Sequence, residues 1–88
     1  MTQAAAYPVA AGDAALIAVA SVAVPDSHAR RRIDADELDS LARSIAEHGL
    51  LQPIVVRPLG GGRHELLAGA RRLRAVQALG QPGIAAVR

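Results

Sequence analysis

The segment LLAGARRLRAVQALG, residues 66–80, sets a glycine and an alanine directly before a run of arginines, at the start of an amphipathic stretch. The first turn of a helix exposes unpaired backbone N–H groups and a partial positive charge, and a glycine there lets an oxygen-rich ligand approach the main chain. Gly69 holds that position, and Arg71, Arg72 and Arg74 add guanidinium donors within the first turns. Main-chain and side-chain donors together suit phosphate. At about 100° per residue, Leu73, Val76 and Leu79 form one stripe, and Arg72 falls inside it. A guanidinium aimed toward a core needs a partner, because an unpaired buried charge is strongly destabilising. The candidates are an incoming anion or a carboxylate such as Glu37 or Glu65. A solvated basic face is the plainer alternative for any run of arginines.

A second cluster, HARRRID, places Arg30, Arg31 and Arg32 in a loop ahead of a helix. Loops that follow strands in α/β folds often rim a ligand crevice. Beside Gly69, this loop would bracket a polyphosphate; alone, it is exposed surface. Other chemistries find little support. The absence of cysteine removes disulfides, thiolate zinc sites and thiol catalysis together. His28, His48 and His64 are isolated and lack metal-ligand spacing, so each is read as structural or solvent-facing. The GGG turn at residues 60–62 lacks the lysine of a Walker loop. No nucleophile stands with a base nearby, and the paired carboxylates of a hydrolase are missing.

The elements that must position these residues follow from local patterns. Residues 15–24, with Leu16, Ile17, Val19, Val22 and Val24, read as a strand broken near Ala20 and Ser21 and ended by Pro25 and Asp26. DADELDSLARSIAEHG, residues 34–49, reads as a helix: Asp34 is its N-cap and Glu37 is spaced to bond back as a capping box. Leu38, Leu41, Ala42 and Ile45 share its core face, Asp39, Arg43 and Glu47 line the other, and Gly49 suits its C-terminal turn. IVVRP and HELLA read as the two strands of a hairpin spanning residues 54–68 with a loose glycine tip. A second helix is expected over residues 70–79, stopped by Gly80, with IAAVR as a last apolar strand. The order strand, helix, strand, strand, helix, strand indicates a mixed α/β or α+β domain.

Eighty-eight residues make one small domain of modest stability. Hydrophobic residues reach 51%, but much of that is alanine and aromatic residues are 1%, so Leu, Ile and Val must do most of the packing. Residues 1–13, with Pro8 and Gly12, are expected to form a flexible leader before the domain of residues 14–88. The basic side chains are all arginine, and the net charge of +2 permits an anionic ligand without itself indicating DNA. AALIAVASVAV, residues 14–24, is too short to span a bilayer as a helix, and the start lacks the basic residues of a signal peptide. A soluble intracellular protein without membrane contact is expected.

The stretch LDSLARSIAEHGLLQPIVVRPLGGGRHELLAGARRLRAVQALG, residues 38–80, resembles the N-terminal domain of ParB chromosome and plasmid partition proteins, which shares its fold with sulfiredoxin. Helix, GLLQPIVVRP, strand and the arginine-bearing helix start occur in that family's order and spacing, and with VPDSHARRRID the likeness covers about residues 15–88. The resemblance implies binding of CTP with magnesium and use of the nucleotide as a switch for clamping DNA. It assigns nucleotide or phosphate contacts to Arg30, Gln52, Gly69, Ala70, Arg71 and Arg72. It further implies a cytoplasmic protein associated with nucleoid or plasmid, with DNA engaged through other domains, a ParA-type ATPase as a possible partner, and self-association on nucleotide binding.

Two departures from the family bear on these expectations. Ala70 replaces the glutamate usual before the paired arginines, which leaves at most a weak CTPase. The family's third nucleotide motif, helix-turn-helix domain and dimerisation segment do not occur within these residues, so a truncated or minimal form is expected. Sulfiredoxin chemistry is excluded by the lack of cysteine. The alternative function is a non-enzymatic, arginine-rich module that contacts nucleic-acid backbone or a protein without binding a nucleotide.

Overall fold

A computed structural model describes residues 14–29, 34–49 and 52–88, with His28 and Ala29 described by backbone alone. The leader of residues 1–13 and the Arg30–Arg32 cluster lie outside the described residues. The elements are β1 (Ala15–Ala18), a 3-10 turn (Val19–Ser21), β2 (Val22–Ala23), α1 (Asp26–Ala29), α2 (Ala35–His48), β3 (Ile54–Gly60), β4 (Arg63–Ala68), α3 (Ala70–Ala78) and β5 (Gly83–Val87). The α+β class expected from the sequence holds. The short α1 was not anticipated; Pro25 and the first-turn carboxylate of Asp26 both favour a helix start there.

The strands form one mixed sheet in the order β1-β5-β3-β4-β2. The β3–β4 hairpin is antiparallel, β5 lies parallel to β3, and β1 closes one edge antiparallel to β5. At the other edge β2 runs parallel to β4. Period-2 alternation sends Ile54 and Val56 of β3 and His64 and Leu66 of β4 to the buried face. Glycines in the left-handed region, Gly61 and Gly62, turn the hairpin.

β1 and β2 stand at opposite edges of this sheet but are separated by only Val19, Ala20 and Ser21. In a flat sheet the edges would lie about 19 Å apart, at about 4.8 Å per strand spacing. Three residues of 3-10 backbone rise only about 2 Å each. The sheet must therefore curl until its edges approach, and Val19 and Val22 at the closure pack against the core. The connecting turn is anchored there: Val19 N–H donates to the Pro82 carbonyl at 2.9 Å, and the Ser21 hydroxyl donates to the Ala18 carbonyl at 2.7 Å. With its one proton so committed, the Ser21 oxygen accepts from Nδ1–H of the buried His64 at 3.3 Å. His64 thus has the structural role expected of it, and His48 is exposed at the end of α2.

Helices α2 and α3 pack on the core face. Ala42 and Ile45 of α2 and Leu73, Ala75 and Val76 of α3 are buried against Ile54, Val56, Leu66, Ile84 and Ala86. The apolar stripe expected on α3 is therefore real, with Leu79 packed at its margin. α2 starts at Asp34, whose Oδ1 accepts the Asp36 N–H at 2.8 Å. Glu37 does not complete a capping box in the expected manner; its carboxylate reaches α3 instead. Asp39 and Arg43 form an i,i+4 ion pair on the exposed face at 2.7 Å, and Gly49, at φ 80°, closes the helix by donating to the Ile45 carbonyl. α3 ends in a Schellman arrangement, with Gly80 N–H bonded to the Gln77 carbonyl and Gln81 N–H to that of Val76.

Candidate anion-binding cleft at the start of α3

β4 ends at Ala68, and the chain must reverse into α3 within one residue. Gly69 makes that turn at φ 103°, a conformation that side chains with a Cβ rarely adopt. It also passes hard against β3: a Cβ at this position would lie 2.8 Å from Ile54 Cγ2 and 3.2 Å from Ile54 Cα. Only glycine satisfies both constraints. The first N–H groups of α3 consequently open beside the start of β3, since a helix has no internal acceptors for them.

An open cleft of about 350 Å³ lies at this point, lined by Leu41, Gln52, Gly69, Ala70, Arg71 and Arg72. The structure thus brings together Gln52, Gly69, Ala70, Arg71 and Arg72 of the residues singled out in the sequence. Arg30, the remaining one, lies outside the described residues. Leu41 is new to the site; its place on the apolar face of α2 gave it the appearance of a core residue, and it does pack at the core's margin. Arg74, two residues beyond Arg72, is half-buried and does not line the cleft.

Arg72 does not enter the core. It is half-buried at the margin of the helix interface, where its Nη1 donates to Gln52 Oε1 at 3.0 Å. Its partner is therefore a neutral amide and not Glu37 or Glu65. Those carboxylates are taken by other arginines: Glu65 pairs with Arg57 across the hairpin, and Glu37 Oε1 stands 3.5 Å from Arg71 Nη2. A guanidinium can only donate, so Gln52 must turn its oxygen to Arg72 and its NH2 group away. Among the described residues, the polar lining then consists of main-chain N–H groups, an amide and two guanidinium groups, with no carboxylate. It can attract and hydrogen-bond an anion from several directions, with Leu41 as an apolar side wall.

The sequence matches the family model described as the ParB N-terminal domain over residues 4–88. The chain belongs to this family. ParB-type relatives include a probable chromosome-partitioning protein ParB of Pseudomonas putida, 52% identical over 58 residues, covering 66% of this chain and 20% of that protein. A nucleoid occlusion protein of Geobacillus kaustophilus is equally similar, 52% over 58 residues, with 66% and 21% covered. The chain spans about a fifth of the length of these curated relatives.

Among solved structures, the ParB fold recurs in C-terminally truncated ParB from Caulobacter crescentus. Its complex with CTP-gamma-S aligns with TM-score 0.75 at 32% identity, covering 84% of this chain and 42% of that one. Its complex with the centromeric parS site aligns at 0.72 and 33%, covering 80% and 37%. Sulfiredoxin from Arabidopsis thaliana has TM-score 0.72 at 27% identity, with 83% and 80% covered, in line with the shared fold.

Proposed function

We propose that this chain is the nucleotide-binding module of a ParB-type, DNA-associated protein, and that the cleft at the start of α3 holds the phosphates of a nucleoside triphosphate. The observation that carries this is the convergence of Gln52, Gly69, Ala70, Arg71 and Arg72 on one cleft that has no carboxylate among its described lining residues. CTP is the nucleotide favoured by likeness to the C. crescentus protein, which was solved with CTP-gamma-S.

The N–H groups of the first turn of α3 donate to phosphate oxygens, aided by the helix dipole. Arg71 and Arg72 offset the negative charge, and Gln52 keeps Arg72 at the margin of the cleft. Leu41 offers a surface for the apolar part of the ligand. Because the lining is drawn from α2, α3 and the lead into β3, a ligand touching all three favours whichever arrangement brings them together. That is the basis of a switch, read out through DNA binding, self-association or a ParA-type ATPase by the whole protein. Chromosome partition, plasmid partition and nucleoid occlusion are all consistent processes, and the nucleoid or a plasmid in the cytoplasm is the corresponding location.

Magnesium accompanies the nucleotide in the family resemblance, but the residues here do not fit a protein-held magnesium. Ala70 offers no carboxylate, and among the described residues no group of three or more His, Cys, Asp or Glu could hold a metal. With no carboxylate or other base among the described lining residues, efficient hydrolysis is not expected.

Calorimetric titration of the protein with CTP, ATP, GTP, UTP and inorganic triphosphate tests the proposal. Saturable binding with CTP tightest is expected. Equal affinity for every nucleotide removes the cytidine assignment, and absence of binding removes the site.

A further inference from the structure

The two arginines of the cleft have unlike partners. Arg72 is held by a neutral amide, so its charge remains fully available. Arg71 stands beside the carboxylate of Glu37, an ion pair that reaches from the first turn of α2 to the first turn of α3. Glu37 is not used to cap its own helix, where Asp34 already accepts from Asp36 N–H. Nor does it line the cleft.

We propose that Glu37 is an internal competitor for the anion: it occupies Arg71 in the unliganded protein and must release it when a phosphate binds. This rests on the function proposed above. At 3.5 Å, with side chains 58% and 56% exposed, the pair is long and well hydrated. Such a pair is weak. It is therefore strong enough to lower affinity measurably and weak enough for a multiply charged phosphate to displace. Displacement also undoes a strap between the starts of α2 and α3, which couples occupancy of the cleft to the freedom of the α2 start.

Glu37→Gln keeps the shape and removes the charge. Titrating inorganic triphosphate and CTP into the wild type, Glu37→Gln, Arg71→Ala and the double variant tests the competition. Glu37→Gln should bind both ligands about two- to fivefold more tightly at low salt, the affinity equivalent of a pair of this strength. The gain should shrink as salt rises and vanish in the Arg71→Ala background. Unchanged or weaker binding by Glu37→Gln, or a gain that persists without Arg71, overturns the inference while leaving the nucleotide site intact. A wild type that binds neither ligand removes both.

Discussion

Arg72 on α3 and Gln52, two residues before β3, are joined by a hydrogen bond of 3.0 Å from Nη1 to Oε1. The bond fixes a guanidinium at the edge of the cleft without neutralising it. Replacing Arg72 by alanine should weaken triphosphate binding by about 10- to 100-fold, the range for losing a hydrogen bond to a charged group. Unfolding free energy should fall by less than about 1 kcal/mol, since the bond to Gln52 is exposed. Arg72→Lys should recover only part of the affinity, because an ammonium lacks the planar fork. Calorimetry and denaturant melts measure both quantities, and a large stability loss without an affinity loss would assign Arg72 to structure alone.

Gly69 should be intolerant of any side chain. Gly69→Ala imposes a left-handed backbone on alanine and drives its Cβ to within 2.8 Å of Ile54 Cγ2. Strain and overpacking together should lower unfolding free energy by about 2 to 5 kcal/mol. For a chain this short, that corresponds to a melting point lower by about 10 °C or more. Thermal melts check it; a variant that melts with the wild type would show that β3 and α3 do not meet as described.

Ala70 lines the cleft in which the proposed function places the phosphates. Ala70→Glu should weaken binding of metal-free triphosphate several-fold by charge repulsion and make binding dependent on magnesium, since a carboxylate beside phosphate oxygens suits that ion. Titrations with chelator and with added magnesium check this. Indifference to both would place residue 70 away from the phosphates.

Much of the architecture was legible in the sequence because its signals are local. Asp34, Gly49 and Gly80 mark helix ends, and the glycine tip between IVVRP and HELLA marks a hairpin. The strand order was not legible, because the pairings of β1 with β5 and of β2 with β4 depend on contacts distant in sequence. At the site, angular position on α3 correctly joined Leu73 and Val76 but sent Arg72 too far inward. A helical wheel gives direction but not where the opposing wall stops, and a long side chain at the first turn can leave by the edge. Glu37 was misread for a related reason: a capping box and a bridge to the next helix need the same residue at the same position. The resemblance supplied what residue chemistry alone could not, namely a reason to include Gln52. Leu41 carried no signal of a second role, since an apolar residue on a helix face reads as core.

The most direct test of the central claim is a residue-resolved titration of 15N-labelled protein with CTP. The account predicts that the largest amide shifts fall at Gly69, Ala70, Arg71 and Arg72, with smaller ones at Gln52 and Leu41, and that Arg72→Ala suppresses them. Shifts concentrated on the β3–β4 hairpin or the outer face of the sheet, with residues 69–72 unmoved at saturation, would contradict it.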